Sequence, residues 1–276
     1  MDLASEIERD VRAALAEDVG SGDLTAPLIP EGKRVRATVR CRQATVICGQ
    51  PWFDACLRRL DPGVEIAWAV PEGASVAAAT QVCSVQGEAR ALLAAERVAL
   101  NFLQTLSGVA TVTRRYVDAI AGTRARIVDT RKTLPGLRQA QKYAVRVGGG
   151  SNHRLGLYDA MLIKENHIAA AGGVRQAVLQ ARKLANTGDW IQVEVENLDQ
   201  LREALDAGAT MILLDNMNVA QMRKAVEIAG NRAELEASGG ITLENARAIA
   251  DTGVHRMSVG ALTKDLKAAD FSMRFE

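Results

Sequence analysis

Aromatic residues are scarce. Phe, Trp and Tyr make up 4% of the 276 residues, so the core has to be built from Ala, Val, Leu and Ile. Net charge is nearly absent as well: 34 Lys and Arg stand against 33 Asp and Glu. That balance does not describe a nucleic-acid surface. No apolar run reaches the roughly 18 residues of a membrane span. The first twenty residues carry acids at Asp2, Glu6, Glu8, Asp10, Glu17 and Asp18, so they do not read as a secretory signal. Cys41, Cys48, Cys56 and Cys83 lie in the first third, with no C-x-x-C pair and no His beside them. Buried free thiols in a reducing cytoplasm are expected, not disulfides or zinc. There is no H-E-x-x-H, Walker loop, full G-x-G-x-x-G or G-x-S-x-G. The lone G-x-G at Gly20-Ser21-Gly22 reads as a helix-to-strand turn.

What remains is a chain of two rhythms, long enough for one large or two modest domains. Residues 3–17 form a helical pattern with Leu3, Ile7, Val11 and Leu15 at spacing four. Alternating segments follow at 34–40, 45–49 and 64–68, punctuated by Pro62-Gly63 and Pro71-Glu72-Gly73. Period two with turn signals predicts antiparallel strands in a small α+β domain. Residues 88–120 are Ala- and Leu-rich and predict a long, buried helix or helix pair. After Gly122 short apolar strands alternate with helices. The strands are expected at 127–128, 160–163, 191–195, 210–214, 235–237 and 257–259, and the later helices at 173–184, 199–207, 219–229 and 243–250. Strand–helix alternation implies parallel strands with crossover helices. The strands run into Arg131-Lys132, Lys164, Glu194, Asp215, Ser238-Gly239-Gly240 and Gly260. Polar residues at the carboxyl end of every strand point to an α/β barrel, incomplete at six strands. An open doubly wound sheet uses only one or two such loops.

From Arg124 to Arg154 there are eight cations (Arg124, Arg126, Arg131, Lys132, Arg138, Lys142, Arg146, Arg154) and one acid, Asp129. A basic segment in a neutral chain suggests a site for a small polyanion. Ser238-Gly239-Gly240 and Val259-Gly260-Ala261 each precede a helical turn, where free N–H groups suit phosphate. Either alone could be a plain tight turn; two in succession favour phosphate. Glu194 and Asp215 are carboxylates of apolar strands. They are candidates for a salt bridge with Lys164, for a metal, or for sugar hydroxyls, and Glu196 shares the pleat face of Glu194. Lys164 could form a Schiff base, though its cationic neighbours favour anion binding. His153, beside Arg154, is either structural or a ligand contact; His167 and His255 have weaker claims. On spacing alone, Arg97 reads as a snorkelling or ion-paired residue next to Glu96.

D-T-R-K-T-L-P-G-L-R from Asp129, Q-K-Y-A-V-R-V-G-G-G-S-N-H-R-L-G-L from Gln141, L-I-K-E-N-H from Leu162, V-E-V-E-N-L from Val193, L-L-D-N from Leu213, S-G-G-I from Ser238 and V-G-A-L-T from Val259 together resemble the quinolinate phosphoribosyltransferases. G-D-L-T at Gly22 and E-R-V-A-L-N at Glu96 fit too. The resemblance covers nearly the whole chain. It implies an N-terminal α+β open-sandwich domain over 1–108, rejoined by the tail 267–276, and an incomplete α/β barrel over 109–266. It implies a cytoplasmic enzyme with no nucleic-acid or membrane partner. Quinolinate and phosphoribosyl pyrophosphate, with Mg2+, would give nicotinate mononucleotide, pyrophosphate and carbon dioxide. By motif match, Thr130, Arg131, Lys132, His153, Arg154 and Lys164 would surround the substrates, and Arg97 would arrive from the other subunit of a homodimer or larger oligomer. Lys132, Lys164, Glu194 and Asp215 would serve the reaction itself, the two acids holding ribose hydroxyls or Mg2+-pyrophosphate. Ser238, Gly239, Gly240, Val259, Gly260 and Ala261 would take the 5′-phosphate. Outside that reading stand a Schiff-base lyase using Lys164 and a phosphosugar-binding relative of molybdenum-transport proteins.

Overall fold

A computed structural model describes residues 2–186 and 188–276. In chain order the elements are α1 (Leu3–Val19), β1 (Arg34–Cys41), β2 (Thr45–Val46), α2 (Gln50–Leu60), β3 (Glu65–Trp68), β4 (Ser75–Val76), β5 (Gln81–Glu88) and α3 (Ala89–Ala119). Then come β6 (Arg126–Val128), α4 (Arg138–Val147), β7 (Met161–Ile163), α5 (Glu165–Ala171), α6 (Val174–Leu184), β8 (Ile191–Val195) and α7 (Leu198–Asp206). The chain ends with β9 (Met211–Asp215), α8 (Val219–Ala229), β10 (Glu234–Ser238), α9 (Leu243–Ala250), β11 (Arg256–Ser258), α10 (Ala261–Lys264) and β12 (Phe271–Phe275). No helix among the described residues is long and apolar enough to cross a membrane.

Two compact units are present. The first comprises residues 1–114, 133–149 and 262–276. Its antiparallel sheet has the order β12-β1-β5-β3. The carboxyl-terminal strand pairs with β1, Val39 opposite Met273 and Cys41 opposite Phe271. Alternation carries β1 and β5 into the core, where Ala37, Val39, Cys83 and Val85 are buried. The helix α2 was not legible as a period, because Pro51, Asp54 and two arginines interrupt the apolar residues. It forms because Trp52, Phe53, Cys56 and Leu57 lie on one face, and all four are buried. Two acids that break the apolar stripe of α1, Glu6 and Asp10, are buried as well. Asp10 is satisfied by Trp52, whose Nε1 donates to Oδ2 at 3.1 Å, and by Arg9 at 2.7 Å. All four cysteines are free and buried.

The second unit comprises residues 115–132 and 150–261. Its six strands are all parallel, in the order β6-β11-β10-β9-β8-β7. Each strand from β7 onward lies beside the next, and the last returns to pair with the first. The sheet therefore curls into a barrel open between β6 and β7. At that opening a single parallel bridge links Val128 to Ser151. The α/β barrel of six strands is incomplete, with α6, α7, α8 and α9 as crossover helices.

Within the span 109–266 expected for the barrel, the stretches 109–114, 133–149 and 262–266 group with the first unit, as does the tail 267–276 expected there. The cause is burial. On α4, Ala140, Ala144 and Val145 are buried, Tyr143 packs against Trp52 with ring centroids 5.2 Å apart, and Gln141 Nε2 donates to the carbonyl of Thr263 at 2.9 Å.

Trp52 is therefore both a core filler and the donor that satisfies Asp10. Trp52→Ala should cost about 3–5 kcal/mol. Trp52→Phe, which keeps most of the volume and loses the N–H, should cost about 1–3 kcal/mol. Thermal unfolding should rank them in that order below the parent; equal melting temperatures would contradict it.

Candidate active site

The site is built by the period-two rule on the barrel strands. Gln192 and Glu194 share a face of β8, Leu213 and Asp215 a face of β9, Glu236 and Ser238 a face of β10, and Arg256 and Ser258 a face of β11. Register brings these faces together. Glu194 pairs with Leu213, Leu213 with Glu236, and Glu236 with Arg256. One step toward the carboxyl ends, Asp215 lies beside Ser238 and Ser238 beside Ser258. A cavity of about 190 Å³ opens over these strand ends. Of the residues expected in a site, it is lined by Thr130, Arg131, Lys132, His153, Arg154, Lys164, Glu194 and Ser238. Leu162, Leu213, Glu236 and Ser258 also line it.

Four cations thus face one small space, with few acids to offset them. Lys164 Nζ is ion-paired to Glu194 Oε2 at 2.6 Å. Burial raises the Glu194 carboxyl above its ordinary value; the hydrogen bond and charge of Lys164 oppose this, while Asp215 adds to it. Asp215 therefore acts electrically on Glu194 without lining the cavity. Burial, and then the charge of Arg131, lower the Arg154 guanidinium. Arg131 Nε is buried with no hydrogen-bond partner among the described residues. Such a donor is costly unless something arrives to accept from it. Lys132, in the loop after β6, packs its side chain on the loop after β11: a Cβ placed on Gly260 would stand 3.1 Å from Lys132 Cδ. Thr130 Oγ1 accepts from the Lys132 N–H at 3.0 Å and shapes that turn.

The remaining expected residues divide. His153 is buried, and both ring nitrogens have partners within the protein. Its backbone N–H donates to Asp129 Oδ1 at 2.9 Å, and Asp129 is fully buried, so the one acid of the basic segment braces the loop at the barrel opening. His167 Nδ1 accepts from Lys164 N–H at 3.0 Å and His255 Nδ1 from Leu235 N–H at 3.0 Å, which makes both structural. Glu196 is exposed beyond the end of β8, so Glu194 is the acid that enters the cavity. Gly240, Val259 and Ala261 border the strand-end loops without lining the cavity. Arg97 is exposed on α3, in the first unit.

Asn216, Gln192 and Glu236 escaped the sequence reading. Asn216 has φ 53 and its Nδ2 donates to Asp215 Oδ2 at 2.8 Å. The Gly239 backbone, φ 94, closes on it so tightly that a Cβ there would lie 2.0 Å from Asn216 Oδ1. The L-D-N and S-G-G motifs are thus two halves of one turn. For Gln192 and Glu236 a signal existed: I-Q-V-E-V and E-L-E-A-S alternate, so each shares its face with a residue already chosen, Glu194 or Ser238.

Two family models match the chain between residues 23 and 274: the N-terminal domain of quinolinate phosphoribosyl transferase over residues 23–107 and its C-terminal domain over 109–274. The chain belongs to the quinolinate phosphoribosyltransferase family. Within that family it is 45% identical to the nicotinate-nucleotide pyrophosphorylase (carboxylating) of Mycobacterium leprae, covering 99% of this chain and 98% of that one. It is 42% identical to the probable enzyme of the same name from Bacillus subtilis, covering 93% and 89%. The solved nicotinate-nucleotide pyrophosphorylase of Francisella tularensis superposes with a TM-score of 0.96 at 43% identity, over 100% of this chain and 98% of that one.

The paired turns give a structural test. Gly239→Ala should destabilise the protein by about 1–3 kcal/mol, from a positive φ and a collision. Adding Asn216→Gly, which removes the colliding atom at a backbone angle glycine accepts, should recover part of the loss in melting temperature. An unchanged Gly239→Ala protein would contradict the coupling.

Proposed function

We propose that this protein transfers the phosphoribosyl group of phosphoribosyl pyrophosphate to quinolinate and removes one carboxylate, giving nicotinate mononucleotide, pyrophosphate and CO2. The observation that carries the reading is the convergence of Arg131, Lys132, Arg154 and Lys164 on one cavity at the carboxyl ends of parallel strands, in a chain of this family. A dicarboxylate and a phosphorylated sugar diphosphate bring many negative charges into one place, and cations supply what water would otherwise give them. Arg131, Arg154 and Lys164 suit the two carboxylates of the pyridine ring, with His153 at the cavity wall. Lys132, Thr130 and the glycine turns at Ser238–Gly240 and Val259–Ala261 suit phosphate oxygens.

The ring nitrogen attacks the anomeric carbon as the bond to pyrophosphate breaks. The sugar becomes oxocarbenium-like, and the step needs alignment and charge more than a nucleophilic side chain. The nitrogen is then cationic. The adjacent carboxylate leaves as CO2, and the electron pair it leaves behind is stabilised by that cation until a proton is taken up. No base is required. Lys164 held 2.6 Å from a carboxylate is placed as a fixed charge, which argues against the Schiff-base alternative.

Among the described residues no group of three or more His, Cys, Asp or Glu could hold a metal ion. The cavity does offer the hard oxygens of Glu194 and, beside it, Asp215. One or two carboxylates suit Mg2+ that keeps most of its ligands on water and diphosphate. Glu194 and Asp215 would hold it, or the ribose hydroxyls, and the ion would neutralise charge on the leaving pyrophosphate. Arg97, exposed on α3, is available to a second copy of the chain, whose site it would complete. The free buried thiols suit a reducing cytoplasm.

Supplied with quinolinate, phosphoribosyl pyrophosphate and Mg2+, the protein should form nicotinate mononucleotide. Arg131→Ala and Lys164→Ala should each lower kcat/KM at least about 100-fold with the fold intact, since each tenfold is about 1.4 kcal/mol of transition-state binding. Parent-like kinetics in either would count against the site. Arg97→Ala mixed with Lys164→Ala should regain activity after subunit exchange, because each hybrid dimer holds one complete site. No recovery with exchange verified would refute the shared site.

A further inference from the structure

Behind the cations runs a buried polar chain to which the reaction above assigns no part. Arg154 donates its backbone N–H to His153 Nδ1 at 2.8 Å. That nitrogen must present a lone pair, so in the neutral ring the proton sits on Nε2. His153 Nε2 meets Gln192 Oε1 at 2.9 Å. The other end of the same amide, Gln192 Nε2, donates to Glu236 Oε2 at 3.1 Å. Glu236 is ion-paired to Arg256, Nε to Oε2 at 3.1 Å, and its Oε1 stands 3.5 Å from His153 Nε2. Gln192 is 0% and Glu236 1% exposed. Trp190 closes the cluster, its ring edge-on to His153 with centroids 5.1 Å apart and under the Arg256 guanidinium at 5.8 Å.

An amide can turn end for end; a carboxylate cannot donate. Gln192 gives Glu236 its NH2 and turns its oxygen to His153, the orientation a carboxylate acceptor calls for. An oxygen there requires a proton on His153 Nε2, and that proton leaves Nδ1 free to accept from Arg154. Each link sets the polarity of the next, over four residues drawn from β10, β8 and the loop at the barrel opening. A buried pair with no such task would be no better than an apolar one.

We propose that Gln192 and Glu236 are positioning residues for dicarboxylate binding: they fix the tautomer and plane of the His153 ring and, through it, the backbone of Arg154. This rests on the functional reading above, in which Arg154 meets the pyridine dicarboxylate. The effect belongs to that substrate, because the chain ends at Arg154 in the loop at the barrel opening, and of its members only Glu236 shares a strand with a phosphate turn.

Two measurements test it. Gln192→Met keeps the volume and removes both hydrogen bonds; it should raise the KM for quinolinate about tenfold or more, leaving the KM for phosphoribosyl pyrophosphate within about twofold. Glu236→Gln, which frees the amide of Gln192 to turn over, should raise the same KM by a smaller factor. The second needs no variant: the 15N histidine spectrum of the parent should show His153 protonated on Nε2 alone, and Gln192→Met should lose that single form. A parent ring protonated on Nδ1, equal rises in both KM values, or no rise in either would overturn the proposal. A parent that does not turn over quinolinate would instead sink the functional reading, so the two failures are distinguishable.

Discussion

Like charges gathered in one small cavity repel, and the rest of the barrel site depends on how that repulsion is contained. Two cations about 8 Å apart near a protein surface oppose each other by roughly 2 kcal/mol. Four of them, Arg131, Lys132, Arg154 and Lys164, share the cavity. The cavity lining sets these four cations against two carboxylates, Glu194 and Glu236. Lys164 Nζ is ion-paired to Glu194 Oε2 at 2.6 Å. Burial, and after it the charge of Arg131, lower the Arg154 guanidinium, while Asp159 opposes them. A site left short of anions in this way is complete only when its ligand supplies them.

The barrel's opening makes that arrangement possible. Among the described residues no ladder joins β6 to β7, and the loop there brings His153 and Arg154 to the cavity. A loop so placed has its backbone polar groups at risk. Fully buried Asp129 takes the His153 N–H and the Asn152 side chain, and Asp159 takes the N–H groups of Leu155 and Gly156. Two acids of the motif region thus serve the backbone so that two bases can serve the ligand.

Much of this was legible from residues alone, and the exceptions share a cause. The six barrel strands and their polar ends follow from alternation of apolar runs with helices, which is local. Lys164 and Glu194 were candidates as partners because each closes a strand. The turn joining Asn216 to Gly239 was not legible, since it depends on register between β9 and β10. The same holds for Gln192 and Glu236, whose task appears only when β8, β10 and the opening loop meet. The place of α4 in the first unit was not legible from its charge: Arg138, Lys142 and Arg146 suit a site, while Ala140, Ala144 and Val145 decide its place by burial. Arg97, exposed in a helix, has no local signal at all, and only the family motif singles it out.

Histidine is the side chain most often free to move protons at neutral pH, and this chain has three. Each has at least one ring nitrogen committed. His153 is bonded to Gln192 and Arg154, His167 accepts from Lys164 N–H, and His255 accepts from Leu235 N–H. Burial, then the charge of Arg124, lowers His255 further from the charged form. Glu194, the acid in reach of a ligand, is held by Lys164. What the cavity offers is therefore fixed positive charge and fixed direction. A reaction that makes its own electron sink on the substrate's ring nitrogen asks for that and nothing more, and a site rich in proton carriers would have been the wrong one for it.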